Sequence, residues 1–340
     1  MNRLSRIRGC FLAGACGDAL GYPVEFLSGG EIRRRFGAAG VREMELMDGL
    51  ALMSDDTQMT LFTAEGMLTA LRHGEDVTDC VYQAYLDWLH TQYSSKEPGR
   101  HADGSQLLKV TALHDRRAPG NTCLSALCSG DMGTTADPLN HSMGCGGVMH
   151  TAPAGMLRLM DAPDPEDAYA MQGAAFAAIT HGHPLGWLPA AMLADMVRRC
   201  LVDPELSLRD IALTSLARLE RLWGGEAHWA AFDELMNKAL SLAAKDIADE
   251  EAIGLLGEGW VGDQALAIAL YCCLRHPDSM EDCLSAAVTH KGDSDSTGAI
   301  AGNLLGAHLG EEAIPARWLE HLEARETIEQ LADLMAEAGA

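Results

Sequence analysis

The sequence predicts an all-α fold, on three observations. Apolar residues recur at helical spacing along most of the chain, strand-like alternation is scarce, and composition points the same way. Hydrophobic residues make up 48% of the 340 positions but aromatic residues only 5%, with 35 glycines, a mixture suited to closely packed helices rather than aromatic-rich sheet layers. No low-complexity linker or fixed-period repeat divides the chain, so residues 1–340 are read as a single domain.

The first element imitates a secretion signal. Arg3, Arg6 and Arg8 precede the small apolar run Gly9-Cys10-Phe11-Leu12-Ala13-Gly14-Ala15-Cys16. Asp18 cuts that run short, and the pattern resumes through Ala19-Leu20-Gly21, which predicts a buried first helix and no bilayer span. From Asp56 to Arg72, Met59, Phe62, Leu68 and Leu71 mark a second helix, with Leu61, Ala64 and Met67 widening its stripe. Similar patterns predict helices over 78–92, 105–114, 165–179, 185–201, 207–222, 228–245, 262–275 and 279–288, separated by Gly, Pro or Asn-Asp punctuation. Two stretches leave the pattern, 93–104 and 129–147, and loops of this kind commonly carry binding groups.

The next helix carries Gly298, Gly302, Gly306 and Gly310 at intervals of four, which line one edge. Each glycine costs about 1 kcal/mol of helix propensity relative to alanine, so the row predicts close backbone packing that offsets the loss. Gly14, Gly17 and Gly21 of the first helix offer the partner. Residues 315–340, acidic and amphipathic, are predicted to close the chain as one solvated helix.

Charge narrows function. Against 25 Lys and Arg stand 49 Asp and Glu, a formal −24, whose field repels nucleic-acid phosphate and anionic lipid, so neither is an expected partner. A small anionic ligand is still admissible, because bound cations and helix N-termini reverse the potential locally. Ten scattered cysteines without C-x-x-C spacing point to free, mostly buried thiols and a reducing cytoplasm.

Two acidic clusters carry the most chemistry. Ser54-Asp55-Asp56-Thr57 and Gly292-Asp293-Ser294-Asp295-Ser296-Thr297 each run into a predicted helix. Adjacent carboxylates repel, so their company with hydroxyls makes sense where cations lie between them, and hard oxygen donors suit Mg²⁺, Mn²⁺ or Ca²⁺. The plain alternative is that both are N-caps whose acids complement a helix dipole. Asp293 and Asp295 lack the glycine and terminal glutamate of an EF-hand loop.

The ordered set of motifs resembles the ADP-ribosylglycohydrolase family, which includes the dinitrogenase reductase-activating glycohydrolase and the ADP-ribosyl-acceptor hydrolases. The resemblance rests on residues 8–26 (Arg-Gly-Cys-Phe-Leu-Ala-Gly-Ala-Cys-Gly-Asp-Ala-Leu-Gly-Tyr-Pro-Val-Glu-Phe), on Ser54 to Met59 and on Gly292 to Gly302, and it spans residues 8 to about 310. It implies a compact orthogonal multi-helix bundle holding two divalent cations, Mg²⁺ or Mn²⁺, that removes ADP-ribose from a modified protein side chain, ADP-ribosyl-arginine first. The implied metal ligands are Ser54, Asp55, Asp56, Asp293, Asp295 and Ser296, with the two serines standing where the family usually has Thr.

The resemblance extends to substrate groups. Glu25 stands where some members use a flexible glutamate near the scissile bond, its alternative being a solvated loop acid; Asp55, Asp56 and Asp103 complete the catalytic candidates. Asp103-Gly104 is equally well explained as a turn. Ser142-Met143-Gly144-Cys145-Gly146 resembles the family's Gly-Asn-Gly loop, implying backbone N–H groups that face the diphosphate and distal ribose. Cys145 replaces the usual Asn, and His150 the usual Arg. His181 of Thr180-His181-Gly182-His183 is implied to border the substrate; without a third His or Cys at ligand spacing, no zinc site is expected there. Gln264 sits where Glu is frequent. A non-catalytic ADP-ribose reader of the same fold, as in lens crystallins that resemble the family, and a dinuclear phosphohydrolase are the rival readings. Reversal of a regulatory modification and protection of a cell from an ADP-ribosylating toxin would use the same site.

Overall fold

The structure is a computed structural model and describes residues 2–339. Its helices are α1 (Arg3–Gly21), α2 (Gly29–Phe36), α3 (Asp55–His73), α4 (Val77–Gln92), α5 (Asn121–Ser129), α6 (Asp167–Ala178), α7 (Pro184–Val202), α8 (Leu208–Trp223), α9 (Trp229–Ala243), α10 (Asp249–Leu256), α11 (Gly262–Arg275), α12 (Met280–Val288), α13 (Ser294–Leu309), α14 (Ala316–His321) and α15 (Arg325–Ala338). Among the described residues no strand forms; β-pairing is limited to isolated bridges such as Ala51 with Leu322 and Gly144 with Val261. The all-α expectation holds.

The glycine-lined helices pack as their spacing predicts. α1 and α13 run antiparallel, and a β-carbon on Gly17 would collide with the Gly298 carbonyl, on Gly302 with that of Ala13, on Gly306 with that of Gly9, and on Gly21 with that of Ser294. Asn303 Nδ2 donates to the Cys10 carbonyl (2.9 Å) across this seam. Gly310 falls just outside the helix, as the C-cap of α13 with φ 77°. The consequence is positional: the start of α13 is held against the end of α1, so residues 293–296 meet residues 18–25.

Three expectations change. Residues 105–114 form two short 3₁₀ turns, Leu107–Lys109 and Thr111–His114, because the N–H groups of Gln106 (2.8 Å) and Leu107 (3.3 Å) are drawn to the Glu65 carboxylate on α3. The short helices α2, α5 and α10 carry too few apolar positions to show a period; α2 buries only Ile32 and owes its start to a Ser28–Glu31 capping box. The closing segment is two helices, broken where Ala324 takes φ 52° and Ala51 pairs with His321 and Glu323. It is not merely solvated, since Trp318, Ile328, Ala332 and Met335 are buried in the core. At that break the buried Glu323 carboxylate is paired with Arg117, whose Nη1 also donates to the Met53 carbonyl (3.2 Å).

Among the described residues, no helix is long and apolar enough to cross a membrane. All ten cysteines are free thiols; Cys128 is exposed, Cys145 half-buried and the rest buried.

Candidate active site

Both acidic clusters are helix N-termini, and both open into one cavity. Ser54 is the N-cap of α3, its Oγ accepting from Asp56 N (3.3 Å). That leaves Asp55 and Asp56, the first two residues of α3, to project their carboxylates over the positive end of the helix. Asp293 caps α13, with Ser296 N–H shared between Asp293 Oδ1 (3.4 Å) and Asp295 Oδ1 (3.0 Å). The antiparallel α1–α13 seam brings Glu25, just past the end of α1, to this second cluster. Carboxylate oxygens of Glu25, Asp293 and Asp295 all lie within 4.8 Å of one another. The cavity is about 310 Å³, and Asp55, Asp56, Glu25, Asp293, Asp295 and Ser296 all line it.

Asp18, outside both acidic clusters, underlies this arrangement. Fully buried in α1, its carboxylate accepts from Ser54 N (2.9 and 3.0 Å), Thr57 N (3.1 Å) and Thr57 Oγ1, so it fixes the start of α3 from behind. The signal was available: an aspartate amid small apolar residues of a buried helix has to find donors. On the other side, Asp55 N–H donates to the Arg117 carbonyl (3.2 Å) and Asp55 Oδ2 accepts from Gly120 N (3.0 Å). Residues 118–123 form the cavity wall there, with Ala118 at φ 50°.

Burial and mutual repulsion set the protonation of the cluster. Burial, then the charges of Asp293, Asp55 and Asp18, pushes Glu25 up to about 8. Burial, then Asp18 and Asp293, pushes Asp55 up to about 8 against a restraining hydrogen bond from Gly120. Asp56 and Asp295 lie well above the carboxylate range, burial first and neighbouring carboxylates after. Glu25 Oε2 and Asp56 Oδ2 are buried without any hydrogen-bond partner. Clustered anionic oxygens with orphaned acceptors, and no Lys or Arg among the lining residues, are the donor set that hard divalent cations take.

Beside the second cluster stands the loop of Cys145–Gly147, a single 3₁₀ turn that lines the same cavity. It is pinned by Cys145 N to the Trp260 carbonyl (3.2 Å) and by Gly262 N to the Met143 carbonyl (2.8 Å). Gly144, Cys145 and Gly146 line the cavity, and β-carbons on Gly144 and Gly146 would press on the His181 ring at 3.2 and 3.0 Å. His181 also lines it; its Nδ1 pairs with Thr180 Oγ1 (2.9 Å), and burial, then His150, lowers it to about 3, so the imidazole is neutral. Burial pushes the Cys145 thiol up, and the Asp293 carboxylate adds to it.

Several expected residues lie elsewhere. Asp103 is exposed in the 102–104 turn and does not line the cavity: its neighbours Ser105 and Gln106 are tied to Glu65, ten residues along α3 from Asp55 and so about 15 Å away. Ser54, next to Asp55, is wholly buried as the cap of α3 and does not line the cavity. Ser142 and Met143 hold the loop rather than face the cavity; Ser142 Oγ pairs with Thr122 Oγ1 (3.0 Å) and accepts from Gly144 N (3.3 Å). The N–H groups of Gly144, Cys145 and Gly147 are engaged with protein acceptors, which narrows the expectation of loop amides free for a diphosphate. Gln264 Oε1 accepts from Glu258 N (3.1 Å), and His183 caps α7. Two rim residues went unnoticed in the sequence: Phe26 and Trp260, ring centroids 5.8 Å apart and stacked, stand at the cavity edge.

A family model described as ADP-ribosylglycohydrolase matches residues 1–340. The chain is 30% identical over 344 residues to ADP-ribosyl-[dinitrogen reductase] glycohydrolase of Rhodospirillum rubrum, covering 98% of this chain and 97% of that one. It is 26% identical over 356 residues to the ADP-ribosylhydrolase ARH3 of Danio rerio, covering 97% and 89%. Among solved structures, an ADP-ribosylglycohydrolase-related protein complex superposes with TM-score 0.67 at 26% identity over 100% of this chain and 99% of that one.

Proposed function

The chain belongs to the ADP-ribosylglycohydrolase family, and on that premise we propose that it is a metal-dependent hydrolase that frees ADP-ribose from modified protein side chains, ADP-ribosyl-arginine foremost. The observation that carries the metal requirement is the crowding of Glu25, Asp55, Asp56, Asp293 and Asp295 around one cavity with two oxygens left without partners. Asp55, Asp56, Asp293 and Asp295 would hold two divalent cations, Mg²⁺ or Mn²⁺, with Ser296 beside them and Glu25 within reach of the second cluster. Bound there, such cations would supply positive charge that orients the ribose hydroxyls and makes the attacking water more acidic.

The residues themselves do the rest. Glu25 is the carboxylate whose negative charge faces the oxocarbenium character of the anomeric carbon as the glycosidic bond breaks; it then takes a proton from the attacking water, and that proton passes on to the departing side-chain nitrogen. The Gly144–Gly146 turn and the neutral His181 ring form the wall against which the distal ribose and diphosphate lie. A cavity lined by acids and by no basic side chain favours a cationic acceptor, which supports an arginine linkage over a neutral one. Both ends of the chain contribute to this cavity, which supports reading residues 1–340 as one domain.

The test is a linkage-resolved assay. Protein carrying ADP-ribose on arginine or serine is incubated with the chain and Mg²⁺ or Mn²⁺, and the products are separated. Release of intact ADP-ribose, fastest from arginine, is expected. Asp55→Ala and Asp295→Ala should lose cation binding and turnover together. Tight ADP-ribose binding without turnover would make the chain a reader, release of AMP or phosphate would make it a phosphohydrolase, and either would overturn the proposal.

A further inference from the structure

We propose a second metal site, for zinc or a similar borderline divalent ion, formed by His73, Glu75 and His101 on the surface at the far end of α3. His73 is the last residue of α3, Glu75 follows in the turn, and His101 comes from the loop after α4. The two imidazoles stack with centroids 4.7 Å apart and an interplanar angle of 20°. One ring nitrogen from each and a Glu75 oxygen all lie within 4.8 Å of one another. Two histidines and a carboxylate are a donor set that zinc takes in proteins, and tetrahedral coordination at its usual bond lengths needs those atoms about 3.4 Å apart. His101 Nε2 and Glu75 Oε2 are already 3.2 Å apart, so forming the site takes mainly a rotation of the exposed His73 side chain.

Two of the three donors, His101 and Glu75, already converge on a positive group. Arg100 Nε donates to His101 Nε2 (3.2 Å), and its Nη2 is paired with both Glu75 and Asp79 (2.5 Å to Asp79). The lone pair of His101 Nε2 and an oxygen of Glu75 thus face one cation, and a metal ion would take the place of the guanidinium while His73 turns in. The last carbonyls of α3 add negative potential at this end of the helix. Eighteen residues along α3 separate His73 from Asp55, about 27 Å, so an ion here cannot share the carboxylate centre. Its effect is to pin the loop bearing His101 to the α3–α4 turn.

The experiment is thermal unfolding of the untagged, Mg²⁺-loaded chain with and without ZnCl₂. At a hundredfold excess over Kd the melting temperature should rise by roughly 5 °C. His73→Ala and His101→Ala, both surface changes, should abolish the rise while leaving basal hydrolase activity unchanged. Asp55→Asn should keep the rise, and Arg100→Gln should reach it at lower zinc because no guanidinium has to be displaced. The proposal is overturned if zinc gives no rise, if the rise survives in a His73→Ala/His101→Ala double variant, if Asp55→Asn removes it, or if Arg100→Gln weakens it.

Discussion

Replacing Asp55 by Asn should make the metal-free protein more stable at alkaline pH and leave it nearly unchanged at acidic pH. The reasoning is a linkage between protonation and folding. An unfolded aspartate ionises near its ordinary 3.8, whereas folded Asp55 holds its proton up to about 8. Between those values the folded state binds the extra proton, so the stabilisation it confers is complete below about 3.8 and is lost as pH rises through about 8. A displacement of that size corresponds to something on the order of 5 kcal/mol. Because part of it is the charge of Asp18 and Asp293, it does not add to the parallel effect at Glu25. At roughly 2 °C per kcal/mol for a chain this long, the metal-free wild type should lose on the order of 10 °C in melting temperature between pH 4 and pH 9. Asn keeps an oxygen for the Gly120 N–H and has no proton to lose, so its curve should be much flatter and stand increasingly above the wild type from about pH 4 upward. The measurement is a series of melts in chelator and moderate salt, which screens the general repulsion of a −24 chain while sparing buried charges. Added Mn²⁺ should then rescue the wild type most at pH 9 and the variant little. If Asp55→Asn is destabilised equally at both ends of the range, burial and the neighbouring carboxylates do not hold a proton on Asp55.

Gly17→Ala puts a methyl into the Gly298 carbonyl at the α1–α13 seam and should cost about 1–3 kcal/mol by overpacking, seen as a lower urea midpoint, with weaker cation binding because the seam sets the distance from Glu25 to Asp293. Asp18→Asn turns an amide donor toward the Ser54 and Thr57 donors; a loss of about 1–3 kcal/mol and a frayed α3 start, read by hydrogen exchange at residues 54–57, are expected. Asp103→Ala should leave turnover and stability as they are, and a turnover loss of tenfold or more would return that residue to the site.

Legibility in the sequence followed locality. The two acidic clusters could be found because a cap is written in four consecutive residues, and the α1–α13 seam because glycine at intervals of four is its own signature. Asp103 misled for the same reason in reverse: Asp-Gly satisfies a local turn whether or not anything lies nearby, and only the tether of Ser105 and Gln106 to Glu65 puts it on the wrong side of α3. For Asp18 the need for donors was legible but not their identity, because its partners, Ser54 and Thr57, are more than thirty residues away. The wall at 118–123 and the Phe26–Trp260 rim have no local pattern at all; they exist only once Arg117 is braced by Glu323 and Phe26 follows Glu25 around the end of α1.

On the proposed metal-dependent reading, the choice between helix cap and metal ligand, open when the clusters are read as sequence, becomes a division of labour among neighbours. In the first cluster Ser54 does the capping and is buried doing it, which frees Asp55 and Asp56 to face the cavity. In the second, Asp293 caps through Oδ1 at a long 3.4 Å while Asp295 takes the nearer bond to Ser296 N, so neither carboxylate is exhausted by the helix it starts. A cluster serving only as a cap would have no reason to bury two further acids, Glu25 and Asp56, with oxygens that nothing donates to. The helix ends fix the oxygens in space, and the unpartnered ones are what a cation would complete.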